Sequence, residues 1–316
     1  MIRILANDGI DPAGKALLEA VGFIVETEHI PQELLPQQLN NFDAITVRSA
    51  TKVRQALIDA CPNLKLIGRG GVGMDNIDVE YARSKGVAVV NTPASSSLSV
   101  AELVFAHLFT GIRFLQDSNR KMPAEGNTKF NELKKAYAKG IELRGKTIGI
   151  LGFGRIGREV AKVAMGLGMK VLAYDLYSFE PEIAIELGDG QLVKVTVKAA
   201  SKEEVIAQSD FISLHTPFSE KPILGTEEFA AMKKGAAVVN ASRGGTIDED
   251  ALLEALNSGK LAFAGLDVFD NEPTPRQDLL THPKISLTPH IGASTNEAQE
   301  RIGVELANLI VQFFNK

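Results

Sequence analysis

Only one cysteine, Cys61, occurs in the 316-residue sequence. No intrachain disulfide can form and no cysteine-based metal site can be assembled, so no metal is expected. At the end of an expected helix, Cys61 reads as a small buried hydrophobe. Basic residues are not in excess either: 34 Lys and Arg stand against 39 Asp and Glu, a formal charge of -5. Nucleic-acid binders carry a basic footprint, so nucleic acid is excluded as the main partner. A local basic pocket for an acidic metabolite is not excluded. No apolar run approaches the length needed to span a bilayer, so no membrane partner is expected. The opening segment MIRILANDGID has acids where a targeting signal needs a basic start or an apolar core. A cytoplasmic location is the default expectation. Low-complexity segments are missing as well.

What is present is the composition of a globular protein, 45% hydrophobic and 23% charged, with 28 glycines spread along the chain. The length exceeds what a single core usually supports, which predicts two domains. Short apolar runs alternate with amphipathic, often capped stretches, the pattern of an α/β chain with parallel sheets. Strands are expected at 2–6, 23–26, 44–47, 66–67 and 88–91, with helices between them, for instance over 12–21 and 56–60. Ser99-Val100-Ala101-Glu102 then forms a capping box ahead of Leu103, Val104, Leu108, Ile112 and Leu115. This predicts one long buried helix, with His107 as a core histidine. A polar, lysine-rich stretch covers 120–139. A second series places strands at 147–151, 170–174, 211–214, 237–240, 262–266 and 285–287. Residues 294–297 form another capping box, opening a last helix with Ile302, Leu306 and Ile310 on one face. The two series predict two doubly wound parallel-sheet domains.

Two stretches match the glycine fingerprint of dinucleotide sites. Gly152, Gly154 and Gly157 follow the strand TIGIL and open the amphipathic REVAKVAMGLG. The first glycine permits a tight turn, the second lets pyrophosphate approach the backbone, and the third lets helix and strand pack closely. The helix start then faces the phosphates with its amides. Gly68, Gly70 and Gly73 form the other match. The strand after Gly157 ends at Asp175, a carboxylate able to bind both ribose hydroxyls, whereas the strand after Gly73 ends at Asn91. The dinucleotide is therefore assigned to the later motif. The charge of Asp175 repels a 2′-phosphate and favours NAD over NADP.

Three further residues stand just past expected strands, where open parallel sheets bind ligands. Arg243, next to glycines in NASRGG, suits a carboxylate, which a guanidinium grips with two parallel hydrogen bonds. His290 suits proton exchange near neutrality. Glu272, in DNEP, suits the partner that fixes the imidazole tautomer. A base, an orienting acid and a carboxylate-binding cation are what hydride transfer from a secondary alcohol requires. Taken alone, His290 serves equally well as a loop histidine and Glu272 as a solvated acid.

With VRSATKV, GRGGVGMDNID, NTPASSSLSVAEL, GKTIGILGFGRIG, HTPF, NASRGGTIDEDAL, AGLDVFDNEP and TPHIGAST in this order, essentially the whole chain resembles the D-isomer-specific 2-hydroxyacid dehydrogenases. The resemblance implies a flavodoxin-like substrate domain over 1–97 and 292–316 and a Rossmann NAD-binding domain over 98–291, with the active site in the cleft between them. It implies catalysis by Arg243, Glu272 and His290. It implies NAD contacts from Val72, Arg155, Ile156, Asp175, Thr216, Ala241, Ser242, Asp267, Gly292 and Ala293, besides Gly152, Gly154, Gly157, Arg243 and His290. Gly70, Gly71 and Val72 are expected to line the substrate carboxylate with backbone amides. The implied substrate is a small D-2-hydroxy acid. 3-Phosphoglycerate, as in the first step of serine biosynthesis, comes first; glyoxylate, hydroxypyruvate or lactate chemistry is the alternative. A phosphate needs further cations, for which Arg48, with Ser49 beside it, stands at a strand's carboxyl end. Lys134 and Lys135 are expected to reach the phosphate from a neighbouring subunit of a homodimer or homotetramer. An NAD-sensing binding protein like the transcriptional corepressors that share this fold is the reading from another class.

Overall fold

A computed structural model describes residues 1–315. Contacts divide the chain into two compact units, Met1–Ser97 with the segment from Ala293 on, and Leu98–Gly292. In the first unit β1 (Arg3–Ala6), α1 (Pro12–Ala20), β2 (Ile24–Glu26), α2 (Leu35–Gln38), β3 (Ala44–Val47), α3 (Gln55–Ala60), β4 (Leu66–Arg69), α4 (Val79–Ser84) and β5 (Ala88–Asn91) alternate. All neighbouring strands pair in parallel, in the order β2-β1-β3-β4-β5. That is the flavodoxin-like order, reversing between β1 and β3. The strands read as continuous apolar runs because both faces are covered. Leu5, Ile45, Val47 and Ile67 enter one core with Leu35, Leu57 and Ile58. Their neighbours Ile4, Ala6, Ala44 and Leu66 enter the other, with Leu18 and with Leu306 and Ile310 of the last helix.

The second unit contains α5 (Ser97–Ile112), α6 (Leu115–Ala136), β6 (Thr147–Leu151), α7 (Arg155–Gly166), β7 (Lys170–Tyr174), β8 (Glu182–Glu186), β9 (Leu192–Thr196) and β10 (Lys198–Ala199). It continues through α8 (Lys202–Gln208), β11 (Phe211–Leu214), α9 (Thr226–Ala231), β12 (Ala236–Asn240), α10 (Glu249–Asn257), β13 (Leu261–Leu266), α11 (Gln277–Leu280) and β14 (Ile285–Leu287). The chain then returns to the first unit as α12 (Asn296–Phe314). The main sheet runs β10-β7-β6-β11-β12-β13-β14, all parallel. Its first six strands have the Rossmann order, reversing between β6 and β11.

Several local expectations are corrected. α5 starts at Ser97, so Ser99 lies inside the helix and is not its cap. It stops at Ile112, because Phe114 takes a left-handed φ of 56° and turns the chain into α6. Leu115, expected in the buried face, is exposed at the start of α6. The last helix is capped by Thr295, which accepts from the Ala298 amide at 3.1 Å, one residue after the expected cap. Gly292, assigned to the first domain from sequence, belongs to the second unit, where the Asp267 carboxylate holds its amide at 2.8 Å. The antiparallel hairpin β8–β9 was not anticipated. Among the described residues, no single helix is long and apolar enough to cross a membrane.

Candidate active site

Gly152 follows β6 with φ 96°, and a side chain there would strike the backbone of His215 after β11. A side chain at Gly157 would strike the Gly152 carbonyl, so α7 can lie this close to its strand only with glycine at both positions. Gly154, the N-cap of α7, is exposed and has open space where a Cβ would stand. The amides of Arg155 and Ile156 follow in the first turn, where no intrahelical partner exists. A pyrophosphate fits there, drawn by those amides and by the helix dipole. Asp175, one residue past β7, accepts from the Phe153 amide at 2.6 Å and the Tyr177 amide at 3.1 Å. Its carboxylate thus ties the glycine turn to the end of the neighbouring strand. Thr216 presents a buried Oγ1 without a protein partner at the β6/β11 reversal. Beside it, burial pushes the His215 imidazole down to about 3, so its ring is neutral; Nε2 stands 2.7 Å from Ser213 Oγ. These features fit a bound dinucleotide.

The loop after β12 is folded by Asn240, which donates to Arg243 O and Thr246 Oγ1 at 2.9 Å each and accepts from Ser242 N and Oγ. Ala241 and Ser242 are buried by this arrangement, and Arg243 stands half-buried with Nη1 donating to Ser242 O at 2.6 Å. Past β13 and β14, Glu272 Oε2 and His290 Nδ1 meet at 2.8 Å. Burial works to raise the Glu272 carboxyl. The hydrogen bond and charge of His290, the Phe269 amide at 3.0 Å and the charge of Arg243 outweigh it and leave the group below its ordinary range. An ionised carboxylate can only accept, so Nδ1 carries a hydrogen, and in the neutral form of the ring Nε2 is the nitrogen with the lone pair.

His290 occupies a left-handed conformation, φ 53°, costly for a residue with a Cβ. Asp267 fixes it. The buried carboxylate accepts from Ile291 N and Gly292 N at 2.8 Å each and from Thr288 Oγ1 at 2.6 Å, while its carbonyl accepts from His290 N at 2.8 Å. Asp267, expected only as a cofactor neighbour, is the clamp of the histidine loop.

In the first unit Arg48 follows β3. Its amide donates to Asp8 Oδ2 at 2.7 Å, and Asn76 Nδ2 donates to its carbonyl at 2.8 Å. Ser49 is exposed next to it. Arg48 and Gly70 line a cavity of about 260 Å³ together with Asp8, Asp11, Gln299 and Ile302. The amides of Gly70 and Gly71 already donate to Val47 O and Arg69 O, at 2.9 and 3.0 Å. These bonds shape the turn; of the three expected donors, Val72 is the one whose amide has no backbone acceptor among the described residues. Val72 O in turn accepts from Asn91 Nδ2 at 2.7 Å. Ala293 O accepts from Gln299 Nε2 at 2.6 Å. Lys134 and Lys135 stand exposed on the last turn of α6. No sequence motif assigns a role to Asp8, Asn76 or Arg69, whose guanidinium lies over Gly71. An acid two residues past the first strand was the available signal for Asp8.

Six loops, after β6, β7, β11, β12, β13 and β14, thus carry the residues expected to serve the cofactor and catalysis in the second unit, at the carboxyl ends of its strands. Residues 105–292 match the family described as D-isomer specific 2-hydroxyacid dehydrogenase, NAD binding domain. The chain belongs to this family. It is an NAD-dependent dehydrogenase of D-2-hydroxy acids. A hydroxypyruvate reductase of Thermotoga maritima is 42% identical over 314 residues, spanning 98% of this chain and 97% of that relative. A D-3-phosphoglycerate dehydrogenase of Methanocaldococcus jannaschii is 41% identical over 312 residues, and the match spans 98% of this chain but 57% of that relative. Among solved structures, a glyoxylate reductase from Paecilomyes thermophila superposes with a TM-score of 0.83 at 33% identity, covering 100% of this chain and 96% of that one.

Proposed function

We propose that the enzyme interconverts 3-phosphoglycerate and 3-phosphohydroxypyruvate, with Arg243 on the substrate carboxylate and Arg48 on the phosphate. The observation that carries this reading is the Arg48 loop, anchored by Asp8 and Asn76 at the end of β3 and opening on a cavity. Smaller 2-oxo acids carry no phosphate for the cation that this loop bears. NAD, when bound, takes up or supplies the hydride at C2. In the oxidation direction His290 Nε2 accepts the hydroxyl proton, and Glu272 stabilises the imidazolium that results. In reduction the same nitrogen returns the proton to the carbonyl oxygen. The guanidinium of Arg243 holds the carboxylate with parallel hydrogen bonds and orients C2. Lys134 and Lys135, exposed on α6, act on the phosphate only through a second copy of the chain.

A charge-assisted contact is worth ~1.5–3 kcal/mol, roughly one to two decades in kcat/KM. Arg48→Ala is therefore expected to impair phosphohydroxypyruvate reduction by that factor and hydroxypyruvate reduction far less. Hydroxypyruvate reduction is the second reading, favoured by the Thermotoga relative that the chain matches along 97% of its length. Equal losses on both substrates, or a wild-type enzyme indifferent to the phosphate, would select it.

A further inference from the structure

His107 lies on α5, a helix that carries none of the residues assigned to hydride or proton transfer, yet it is 2% exposed and bonded through both ring nitrogens. Nδ1 stands 2.8 Å from Ser286 Oγ and Nε2 stands 3.0 Å from Thr288 Oγ1. The ring is pressed against β13: a Cβ at Gly265 would stand 2.6 Å from His107 Cβ and 2.8 Å from Cγ. The hydrogens along this chain can be assigned. Thr288 has one hydroxyl hydrogen, and its 2.6 Å bond to Asp267 Oδ1 uses it, because a carboxylate only accepts. Toward His107 the same oxygen must accept, so Nε2 carries the hydrogen. Burial pushes the imidazole below its ordinary range against the pull of the Asp267 charge, which keeps the ring neutral. Nδ1 then accepts from Ser286.

We propose that His107 is a positioning residue for catalysis: with Thr288 it orients the Asp267 carboxylate that pins the left-handed backbone of His290. The chain runs Ser286, His107, Thr288, Asp267, and ends on the amides of Ile291 and Gly292, the two residues that follow His290. Without the Nε2 hydrogen, the Thr288 hydroxyl is free to turn, Asp267 loses its fixed orientation, and the imidazole leaves its productive place. Asp175 and the glycine turn lie at other strand ends, so the contacts expected to the adenine ribose and pyrophosphate of NADH are kept, and most of its affinity with them. The proposal rests on His290 as the base, as read above.

The test compares steady-state reduction of a 2-oxo acid, and NADH binding by fluorescence, for His107→Leu, His107→Gln, Thr288→Val and the His107→Leu/Thr288→Val double variant, beside His290→Gln. The Gln amide reproduces the Nε2 donor. A displaced reacting group costs up to about a hundredfold in rate, so His107→Leu and Thr288→Val should each lower kcat about tenfold to a hundredfold with NADH affinity kept. His107→Gln should recover most of the loss, and the double variant should be no slower than Thr288→Val, since both changes break one chain. Wild-type kcat in His107→Leu, no recovery in His107→Gln, or losses that multiply in the double variant would each overturn the proposal. Should His107→Leu not fold, His107→Gln and Thr288→Val still decide: near-wild-type rate in the first with a slow second supports it, and wild-type rate in Thr288→Val overturns it. A fast His290→Gln would instead remove the base assignment itself, whatever the His107 variants do.

Discussion

Replacing His290 by Gln is expected to lower kcat by ~10²–10⁴-fold, the usual cost of losing a general base. The geometry leaves the histidine one job. Its Nδ1 hydrogen is committed to Glu272 at 2.8 Å, which presents Nε2 to the substrate hydroxyl. Glutamine keeps the length and the polarity of the side chain but exchanges no proton near neutrality. NADH binding should be nearly unchanged, because the turn at Gly152–Gly157 and Asp175 belong to β6, β7 and α7, away from the ends of β13 and β14. Stopped-flow or steady-state absorbance at the NADH band gives kcat, and fluorescence titration gives the cofactor affinity. Near-normal kcat in the variant would move the base to another residue.

Cofactor choice carries the second large effect. Asp175 is fixed by the Phe153 and Tyr177 amides, so its charge cannot swing away from a ribose at the β7 end. Placing a 2′-phosphate against a held carboxylate costs several kcal/mol, which corresponds to a preference for NADH over NADPH of roughly a hundredfold or more in kcat/KM. Asp175→Ala should collapse the ratio, mainly by improving NADPH. It should also loosen the glycine turn, since the Phe153 amide loses its acceptor, so some loss with NADH is expected as well. Comparable kcat/KM for the two cofactors in the unmodified enzyme would remove the selective role from Asp175.

The framework was legible where strands are buried on both faces. The runs AITV, TIGIL, KVLAY and FISL are mostly apolar, and β3, β6, β7 and β11 end where those runs end. Helix starts were less legible, because neighbouring hydroxyls compete for the cap: Ser294 and Thr295 are equally able, and the backbone turn selects Thr295. The hairpin β8–β9 carried a signal that was not used, the alternation EIAIE and LVKVT around Asp189-Gly190, a dipeptide that favours tight hairpin turns. At the site, residue types suggested Glu272 for His290, and the two side chains meet. What chemistry alone did not reveal are long-range supports. Asp8 reaches Arg48 across 40 positions, and His107 reaches Thr288 across 181. An ordinary acid and an ordinary core histidine acquire these functions only when the sheet brings distant strand ends together. The backbone acceptors of the Gly70 and Gly71 amides, Val47 O and Arg69 O, were hidden for the same reason, since they are set by the pairing of β3 with β4 and by the turn itself.

The most direct measurement supplies the enzyme with NADH and phosphohydroxypyruvate, hydroxypyruvate, glyoxylate or pyruvate in parallel, follows the NADH absorbance, and resolves the configuration of each chiral product. Consumption of NADH with phosphohydroxypyruvate ahead of the others, yielding the D-2-hydroxy acid, is the predicted result. No NADH consumption with any of the four, or an L product, would contradict the account.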